Sequence, residues 1–438
     1  MLDLSQHLQS ALSHQLQRQA SGISQLVLAY SGGLDSQVLL HFLAPLCQQM
    51  AIPLTAVHIH HGLNPQADSW AAFCQQQCQL RQVACVVRYV HLAKQGNIEQ
   101  RARNARYQVL ADYITSPSAL LLTGHHADDQ LETLLLALKR GAGLTGLAAM
   151  QPERAFAAGK LVRFLLSISR QQLHAYAELE QLSWVEDDSN DDLQFDRNFL
   201  RHQVTPILKQ RWPTFLQTVA RSVQHLQDAV ALADFYTEQA LADCVAEDRL
   251  NLSQLNTLPA LQQNLVIRRW LAGFGLNPET QWLNTLTQQV INARPDATPQ
   301  LQLGQYQLRR YQDSLYCLAE LPPILESVST TLTVGEPLQL ASGLGCFSWH
   351  ASESLGALPV AATAQQFEVV YGKLSLPFKP AGNVSKPLKQ WFKLWQVPPW
   401  QRARVPLLLQ NGELKLVAGY ASAYPATAAT CWLSWQPA

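Results

Sequence analysis

Ser31-Gly-Gly-Leu-Asp-Ser36 directly follows the apolar run Leu26-Val-Leu-Ala-Tyr30, and the reading of these two segments decides the fold. An unbroken apolar run of this length predicts a strand buried on both faces. Behind the hexapeptide, Val38, Leu39, Phe42 and Leu43 recur at helical spacing, so a helix follows. Strand, glycine turn and helix together build an anion site. Gly32 and Gly33 have no Cβ, so backbone N–H groups can approach phosphate oxygens closely. The helix adds its unpaired first-turn donors and the positive end of its dipole, and Ser31 and Ser36 add hydroxyls. The stretch therefore reads as a phosphate site. It is not a Walker loop, which needs G-x-x-x-x-G-K-[ST] and a lysine absent here.

The chain has 438 residues, enough for two or three domains with their own cores. Hydrophobic residues make up 47% and charged residues 15%, a globular balance. Formal net charge is zero, so any nucleic-acid partner must be met by a local basic patch. The eight cysteines (Cys47, Cys74, Cys78, Cys85, Cys244, Cys317, Cys346 and Cys431) show no C-x-x-C pair. That argues against a zinc or iron–sulfur site and fits reduced thiols. Met1–Ala20 is glutamine-rich without a basic or long apolar region, and no run approaches the length of a membrane span. A cytoplasmic location is expected, with no membrane partner.

Through the first two hundred residues, strand-like and helix-like runs alternate, which predicts an α/β fold with a doubly wound, mostly parallel sheet. The further strands are read over Ile52–Ile59, Val83–Val87, Ala119–Thr123 and Leu161–Leu166, with a helix carrying Trp70, Phe73, Cys74 and Cys78 between the second and third. Ligands of such sheets sit beyond the carboxyl ends of the strands, so residues just after each strand are candidates. His58, His60 and His61 end the second strand. No local carboxylate or cysteine completes a metal set, so they read as strand-end histidines near a nucleotide.

Two further stretches carry chemistry. A helix beginning near Asn97 places Glu99, Arg103, Arg106 and Tyr107 near one stripe. That stripe suits either a solvated face with i,i+4 ion pairs or phosphate neutralisation by Arg103 and Arg106. Thr123-Gly-His-His-Ala-Asp-Asp-Gln-Leu-Glu-Thr133 follows a strand and opens a helix that stops at Lys139-Arg-Gly141. Asp128, Asp129 and Glu132 crowd its first turns, where the dipole favours acids. Three carboxylates and His126 exceed what a cap requires. They suit Mg²⁺ through oxygen ligands or the ammonium group of an amine substrate.

Ser31–Ser36 is similar to the signature of the pyrophosphatase-type P-loop enzymes. Ile59-His-His-Gly-Leu63, Ile98-Glu99 with Ala102-Arg103 and Ala105-Arg-Tyr107, and His126-x-Asp-Asp-Gln-x-Glu-Thr133 follow in order. So do Leu138–Gly141, Trp184–Asn190 and Asp196-Arg-Asn-Phe-Leu-Arg201. Together they resemble the tRNA(Ile)-lysidine synthetase family, with Phe164 standing where relatives often carry proline. The resemblance implies an adenine nucleotide alpha hydrolase-like fold and two substrates besides ATP: free L-lysine and an isoleucine tRNA with a CAU anticodon. It implies adenylation of C2 of the wobble cytidine and displacement of AMP by the lysine amine. ATP would be bound by Ser31, Gly32, Gly33, Leu34, Asp35, Ser36 and His60, with Asp35 placing Mg²⁺. Asp35, Arg103, Arg106, His126, Asp128 and Glu132 are the expected catalytic set. Asp128, Asp129 and Glu132 are the candidate lysine ligands. The acidic loop Glu186–Asp192 and Arg197 with Arg201 would close the domain near the nucleotide.

Three domains are expected: 1–213 for ATP binding and catalysis, 214–322 mainly helical, and 323–438 a small α+β tRNA-binding domain. Thr214–Val245 is free of Gly and Pro, with Val219, Val223, Leu226 and Val230 at helical spacing. Leu301–Tyr311 reads as a hairpin and Leu321-Pro-Pro323 as a linker. The Arg268-Arg269 and Arg309-Arg310 pairs suit either RNA backbone or an ordinary surface. Between Glu368 and Glu413 no acid occurs, while Lys373, Lys379, Lys386, Lys389, Lys393, Arg402 and Arg404 do. On a helix over Ser385–Gln396, Lys386, Lys389 and Lys393 would line one face, with Leu388, Trp391, Phe392 and Trp395 opposite. One-sided positive charge suits a phosphate-tracking surface. By resemblance, Lys386, Lys389, Lys393 and Arg402 would contact the tRNA. Monomer and homodimer both fit. A tRNA-thiolating enzyme, an ammonia-using synthetase and a nonenzymatic nucleotide-sensing RNA binder are the competing classes. Each is separable by whether lysine enters RNA.

Overall fold

The structure is a computed structural model. It describes residues 22–437 except 63, 91–97, 295–296, 322–329, 341–343 and 362–365, together with helical positions 6, 10, 13 and 17; at 98–100 and 189–190 only the backbone is described. Leu63, Gly96, Asn97, the Glu99 side chain and Pro322-Pro323 of the expected linker lie outside the described residues. The chain divides into two compact units, Met1–Tyr236 and Thr237–Ala438.

In the first unit, the apolar run becomes β1 (Gln25–Ala29), and Leu34–Gln49 forms α1 directly behind the hexapeptide. There follow β2 (Leu54–His60), α2 (Ala67–Leu80), β3 (Ala84–Tyr89), α3 (Ile98–Ala111), β4 (Ala119–Leu122) and α4 (Ala127–Lys139). An antiparallel pair, β5 (Glu153–Phe156) and β6 (Gly159–Val162), precedes α5 (Arg170–Leu179). The six strands lie in the order β3-β2-β1-β4-β6-β5. All neighbours are parallel except β5 with β6. The fifth strand expected over 161–166 is thus β6, ending at Val162, and its hairpin partner β5 has no counterpart in the sequence reading. Glu153–Arg154–Ala155 are all exposed, so this edge strand carries no apolar alternation to signal it.

Two apolar layers cover the sheet. One joins Leu26, Leu28, Val38, Leu39, Leu43 and Leu122 with Phe42 and Tyr176 of α1 and α5. The other joins Val27, Val57, Leu121 and Leu161 with Leu110 and Ile114 at the end of α3 and just beyond it. Burial on both faces is why β1 and β4 read as continuous apolar runs instead of alternating ones. Helices on both faces leave the carboxyl edge of the sheet open for ligands.

The helix Phe215–Cys244 matches the expected long helical stretch; its Val219 and Val223 pack on Leu131 of α4. In the second unit, helices Ala260–Ala272 and Thr280–Leu286 share a core with strands of a five-stranded antiparallel sheet. The expected hairpin is the pair Gln300–Leu303 and Tyr306–Tyr311. The sheet grows beyond it by Ser314–Ala319, Arg249–Asn251 and Val245–Ala246. Among the described residues from Thr330 onward come a five-stranded, a four-stranded and a two-stranded sheet around two further cores. The basic helix is shorter than expected, Leu388–Leu394. Lys386 belongs instead to the two-residue strand Lys386–Pro387, because Pro387 lacks the N–H that a helix interior uses. Lys386 therefore does not share a helix face with Lys389 and Lys393.

Candidate active site

The turn after β1 is shaped by close approach. Gly32 has φ +82, and a Cβ there would meet Cys74 Sγ at 2.8 Å and Val185 Cγ2 at 3.1 Å. The loop is closed by hydroxyls. Gly33 N–H donates to Ser31 Oγ at 3.3 Å, Ser36 Oγ donates to the Gly33 carbonyl at 3.0 Å, and the two serine oxygens lie 3.1 Å apart. Val185 N–H donates to the Gly32 carbonyl at 3.0 Å, tying the Trp184–Asn190 segment to the loop. After β4, Gly124 lets the neighbouring turn reach the first turn of α1: a Cβ there would lie 3.2 Å from the Ser36 nitrogen. Sequence reading passes over Gly124, although a glycine between a strand end and a histidine pair marks such an approach.

His126 is the N-cap of α4 in a reciprocal box: its Nδ1 accepts from Asp129 N–H at 3.3 Å, and Asp129 Oδ2 accepts from His126 N–H at 3.0 Å. An accepting Nδ1 places the ring proton on Nε2, which faces Asp35 Oδ2 at 3.6 Å and Asp129 Oδ2 at 3.4 Å. Asp35 Oδ1 is buried without a hydrogen-bond partner. Burial pushes the Asp35 carboxyl above its ordinary range; the His126 ring opposes this and the Asp129 charge adds to it.

The three acids of α4 are held by cations from the helical run that spans Asp196–Phe199, Leu200–Val204 and Thr205–Arg211. Glu132 is fully buried. It accepts from Arg197 Nε at 2.8 Å, Arg201 Nε at 2.8 Å and Arg201 NH2 at 3.0 Å. Asp129 Oδ1 accepts from the same two guanidinium groups at 3.1 and 3.2 Å. Burial alone would raise the Asp129 carboxyl, but His126, Arg197 and His125 hold it down at about 2. Asp128 accepts from Lys209 Nζ at 2.6 Å and Arg170 N–H at 2.8 Å. Against the effect of burial, these bonds keep its carboxyl below the ordinary range. Beside this network lies a cavity of about 490 Å³ whose lining includes Asp128, Glu132, Arg170, Glu178, Arg201 and Lys209. Asp129 does not line it. Sequence reading brings Arg197 and Arg201 near the nucleotide without pairing them to these acids, and misses Lys209.

On the other side of the site the charge is positive. Arg103 and Arg106 stand on α3, and Arg163 leaves the end of β6. Burial draws the His125 imidazole down to about 3, with Asp129 opposing and Arg163 adding to the effect; its Nδ1 lies 2.8 Å from Thr123 Oγ1. His60 sits apart from the loop's own bonds: its Nε2 is 3.1 Å from Asp68 Oδ1 and its ring 4.6 Å from Tyr89. His58 is buried beneath, 3.0 Å from the Tyr30 carbonyl and 3.3 Å from Cys74 Sγ. The structure thus brings Ser31, Gly32, Gly33, Leu34, Asp35, Ser36, His126, Asp128, Asp129 and Glu132 together at one sheet edge. Among the described residues no group of three or more His, Cys, Asp or Glu side chains is arranged to hold a metal ion.

In the second unit, Lys389 and Lys393 are exposed while Leu388, Trp391 and Phe392 are buried, so the two helix faces divide as the spacing predicts. Lys386 Nζ lies 5.4 Å from the centre of the Trp391 ring. Arg402 is engaged internally, donating to the Val397 carbonyl at 2.8 Å and to the Tyr311 hydroxyl at 3.3 Å. The Arg268 and Arg310 guanidinium groups are likewise spent on the Pro278, Ile291 and Arg294 carbonyls. Among the described residues, no helix is long and apolar enough to cross a membrane.

Three domain families match the chain: a PP-loop domain over residues 4–208, a TilS substrate binding domain over 250–316 and a TilS substrate C-terminal domain over 367–435. The chain is 43% identical over 421 residues to the tRNA(Ile)-lysidine synthase of Serratia proteamaculans, covering 93% of this chain and 94% of that one. The enzyme of the same name from Pectobacterium atrosepticum is 42% identical over 92% of this chain and 91% of its own. That of Vibrio cholerae is 41% identical over 90% of each.

Proposed function

We propose, proceeding from the fact that this chain belongs to the tRNA(Ile)-lysidine synthase family, that it ligates L-lysine to C2 of the wobble cytidine of an isoleucine tRNA bearing a CAU anticodon. ATP adenylates the cytidine, and AMP and pyrophosphate leave. The observation that carries the reading is the Ser31–Ser36 loop at the carboxyl edge of the sheet, with a basic side toward α3 and, beside α4, a cavity lined by acids together with Arg170, Arg201 and Lys209. Such a loop cradles phosphates with backbone and hydroxyl donors and offers no lysine for transfer of a terminal phosphoryl group.

The residues divide the work by charge. Ser31, Gly32, Gly33 and Ser36 orient the pyrophosphate end of ATP. Asp35 fits a Mg²⁺ ion, because its buried Oδ1 has no partner and Mg²⁺ takes one or two carboxylates with phosphate oxygens and water. When bound, the ion would neutralise charge on the phosphates as pyrophosphate departs. His126 turns its Nε2 toward Asp35 Oδ2, 3.6 Å away. Arg103 and Arg106 offset charge developing at the α-phosphate.

Lysine must attack as the neutral amine, although its free pKa is about 10.4. The cavity beside α4 is of ligand size, and Asp128, in exchange for Lys209, or Glu178 on its rim can take an incoming ammonium. Asp129 and Glu132 act one step back by fixing Arg197 and Arg201. We divide the chain into parts at 1–213, 214–322 and 323–438; separate apolar cores support this, whereas Val219 and Val223 pack with Leu131 of the first part and the compact units part at Tyr236. The last part would grip tRNA through exposed Lys389 and Lys393, with Lys386 beside them. The test is incubation with ATP, labelled lysine and CAU-anticodon tRNA, followed by nucleoside analysis. Label in a modified cytidine is expected, and none after complete ATP supply overturns the reading.

A further inference from the structure

Around Tyr107 the first unit gathers several arginine side chains. The Arg103 guanidinium lies 5.2 Å from the Tyr107 ring centre and that of Arg154 lies 5.6 Å from it. Arg163 is 5% exposed and donates from NH1 to the Gln151 carbonyl at 2.6 Å. Its Nε is buried with no partner. Arg106 follows on the same helix, beside His61, whose Nδ1 is likewise buried and unpartnered. Among the described residues no ion pair joins Arg103, Arg106, Arg154 or Arg163 to an acid, whereas neighbouring Lys160 is paired with Glu153 at 3.2 Å. Burial draws the Arg163 group below its usual range, the charges of Arg154 and Arg103 add to the effect, and Tyr107 opposes it.

All of these residues stand at or near the ligand edge of the sheet. Arg163 directly follows β6, Arg154 is the second residue of antiparallel β5, and His61 directly follows β2. Crowded cations with stranded N–H donors are costly unless an anion joins them. The Ser31–Ser36 loop already supplies donors for the phosphates of ATP. The Tyr107 and Phe156 rings, 5.7 Å apart edge to face, add an aromatic flank of the kind that accompanies RNA backbone.

We propose that Arg154 and Arg163 around Tyr107, with His61 and flanked by the Arg103 and Arg106 pair that faces the α-phosphate, form a second phosphate site, separate from the glycine loop, that takes a phosphodiester of the RNA next to the target nucleotide. The RNA assignment rests on the function proposed above; the phosphate chemistry does not.

The test uses Arg154→Gln, an exposed position, in the full-length protein, with Lys160→Gln as the control and a thermal melt to verify folding. Binding of a short stem–loop RNA carrying the CAU anticodon is measured across a salt series, and ATP binding by equilibrium dialysis. Every phosphate that is no longer neutralised lowers the slope of log K against log salt by about 0.7–0.9. A slope reduced by that amount in Arg154→Gln, unchanged in Lys160→Gln and with ATP affinity intact, supports an RNA phosphate at this site. A fall in ATP affinity with an unchanged RNA slope supports the phosphate site but assigns it to the nucleotide. Unchanged slope and unchanged ATP affinity overturn the proposal. Wild-type protein that binds the RNA yet transfers no lysine would count against the function while leaving the salt comparison readable.

Discussion

Glu132→Gln discriminates most sharply between the two roles open to the acids of α4. In the structure Glu132 is fully buried and takes three hydrogen bonds from Arg197 and Arg201. The amide keeps the shape but removes the charge, leaving two guanidinium groups against Asp129 alone. Breaking a buried pair by removing one partner costs about 3–5 kcal/mol. The arginine side chains retain 25% and 21% exposure, so screening favours the lower end. For a unit of this size about 3 kcal/mol corresponds to a loss of roughly 6–12 °C in melting temperature. Calorimetry reads it in the transition that ATP shifts upward, which assigns that transition to the nucleotide-binding unit. Adding Arg197→Met to Glu132→Gln removes the surplus cation and should recover about 1–2 kcal/mol, within the range of coupling in such networks. A melting temperature within about 2 °C of wild type, together with a lysine KM raised tenfold or more, would refute the reasoning. It would mean that Glu132 stands free to bind lysine.

Three other perturbations probe single interactions. Gly32→Ala places a Cβ 2.8 Å from Cys74 Sγ at φ +82; ATP affinity should fall, and Cys74→Ala in the same chain should restore part of it, whereas no restoration would show that backbone strain alone matters. Asp129 has its carboxyl lowered from 3.8 to about 2, so the unfolded state binds more protons between those values. Its stabilisation is complete above pH about 4 and is lost as pH falls toward 2; Asp129→Asn should flatten that acid limb, and an unchanged limb in chemical denaturation series would contradict the assignment. Asp35→Asn should abolish the Mg²⁺ dependence of ATP binding while the protein remains folded, and an equal response to Mg²⁺ in both proteins would remove Asp35 as the ion's ligand.

The strand, the hexapeptide and α1 are legible in the sequence because they are contiguous and their apolar residues carry one period. The acids of α4 are legible for the same reason, as three carboxylates within five positions. Their neutralisation is not. Arg197, Arg201 and Lys209 lie 65 to 81 positions away from Glu132, Asp129 and Asp128, and no local pattern reports which distant cation closes on which acid. His126 as an N-cap is equally hidden, because a ring nitrogen takes the place that Ser, Thr, Asp or Asn usually fills. The exposed face of β5 hides that strand, and a helix begun before Pro387 misplaces Lys386. The arginines around Tyr107 come from α3, β5 and the end of β6, three segments that only the folded sheet edge brings together. The C-terminal helix fares better: its lysines and tryptophans alternate at helical spacing, so the division into exposed and buried faces is readable before the fold.

Transfer of AMP to RNA is the step on which everything else depends, and the most direct measurement of it omits lysine. The chain is incubated with CAU-anticodon tRNA, Mg²⁺ and ATP labelled either at the α- or at the γ-phosphate, and the RNA is isolated. Label from the α-phosphate, and none from the γ-phosphate, should be found on the RNA and should leave as AMP when lysine is added. RNA that stays unlabelled while ADP accumulates, or that acquires the γ-label, would contradict the account.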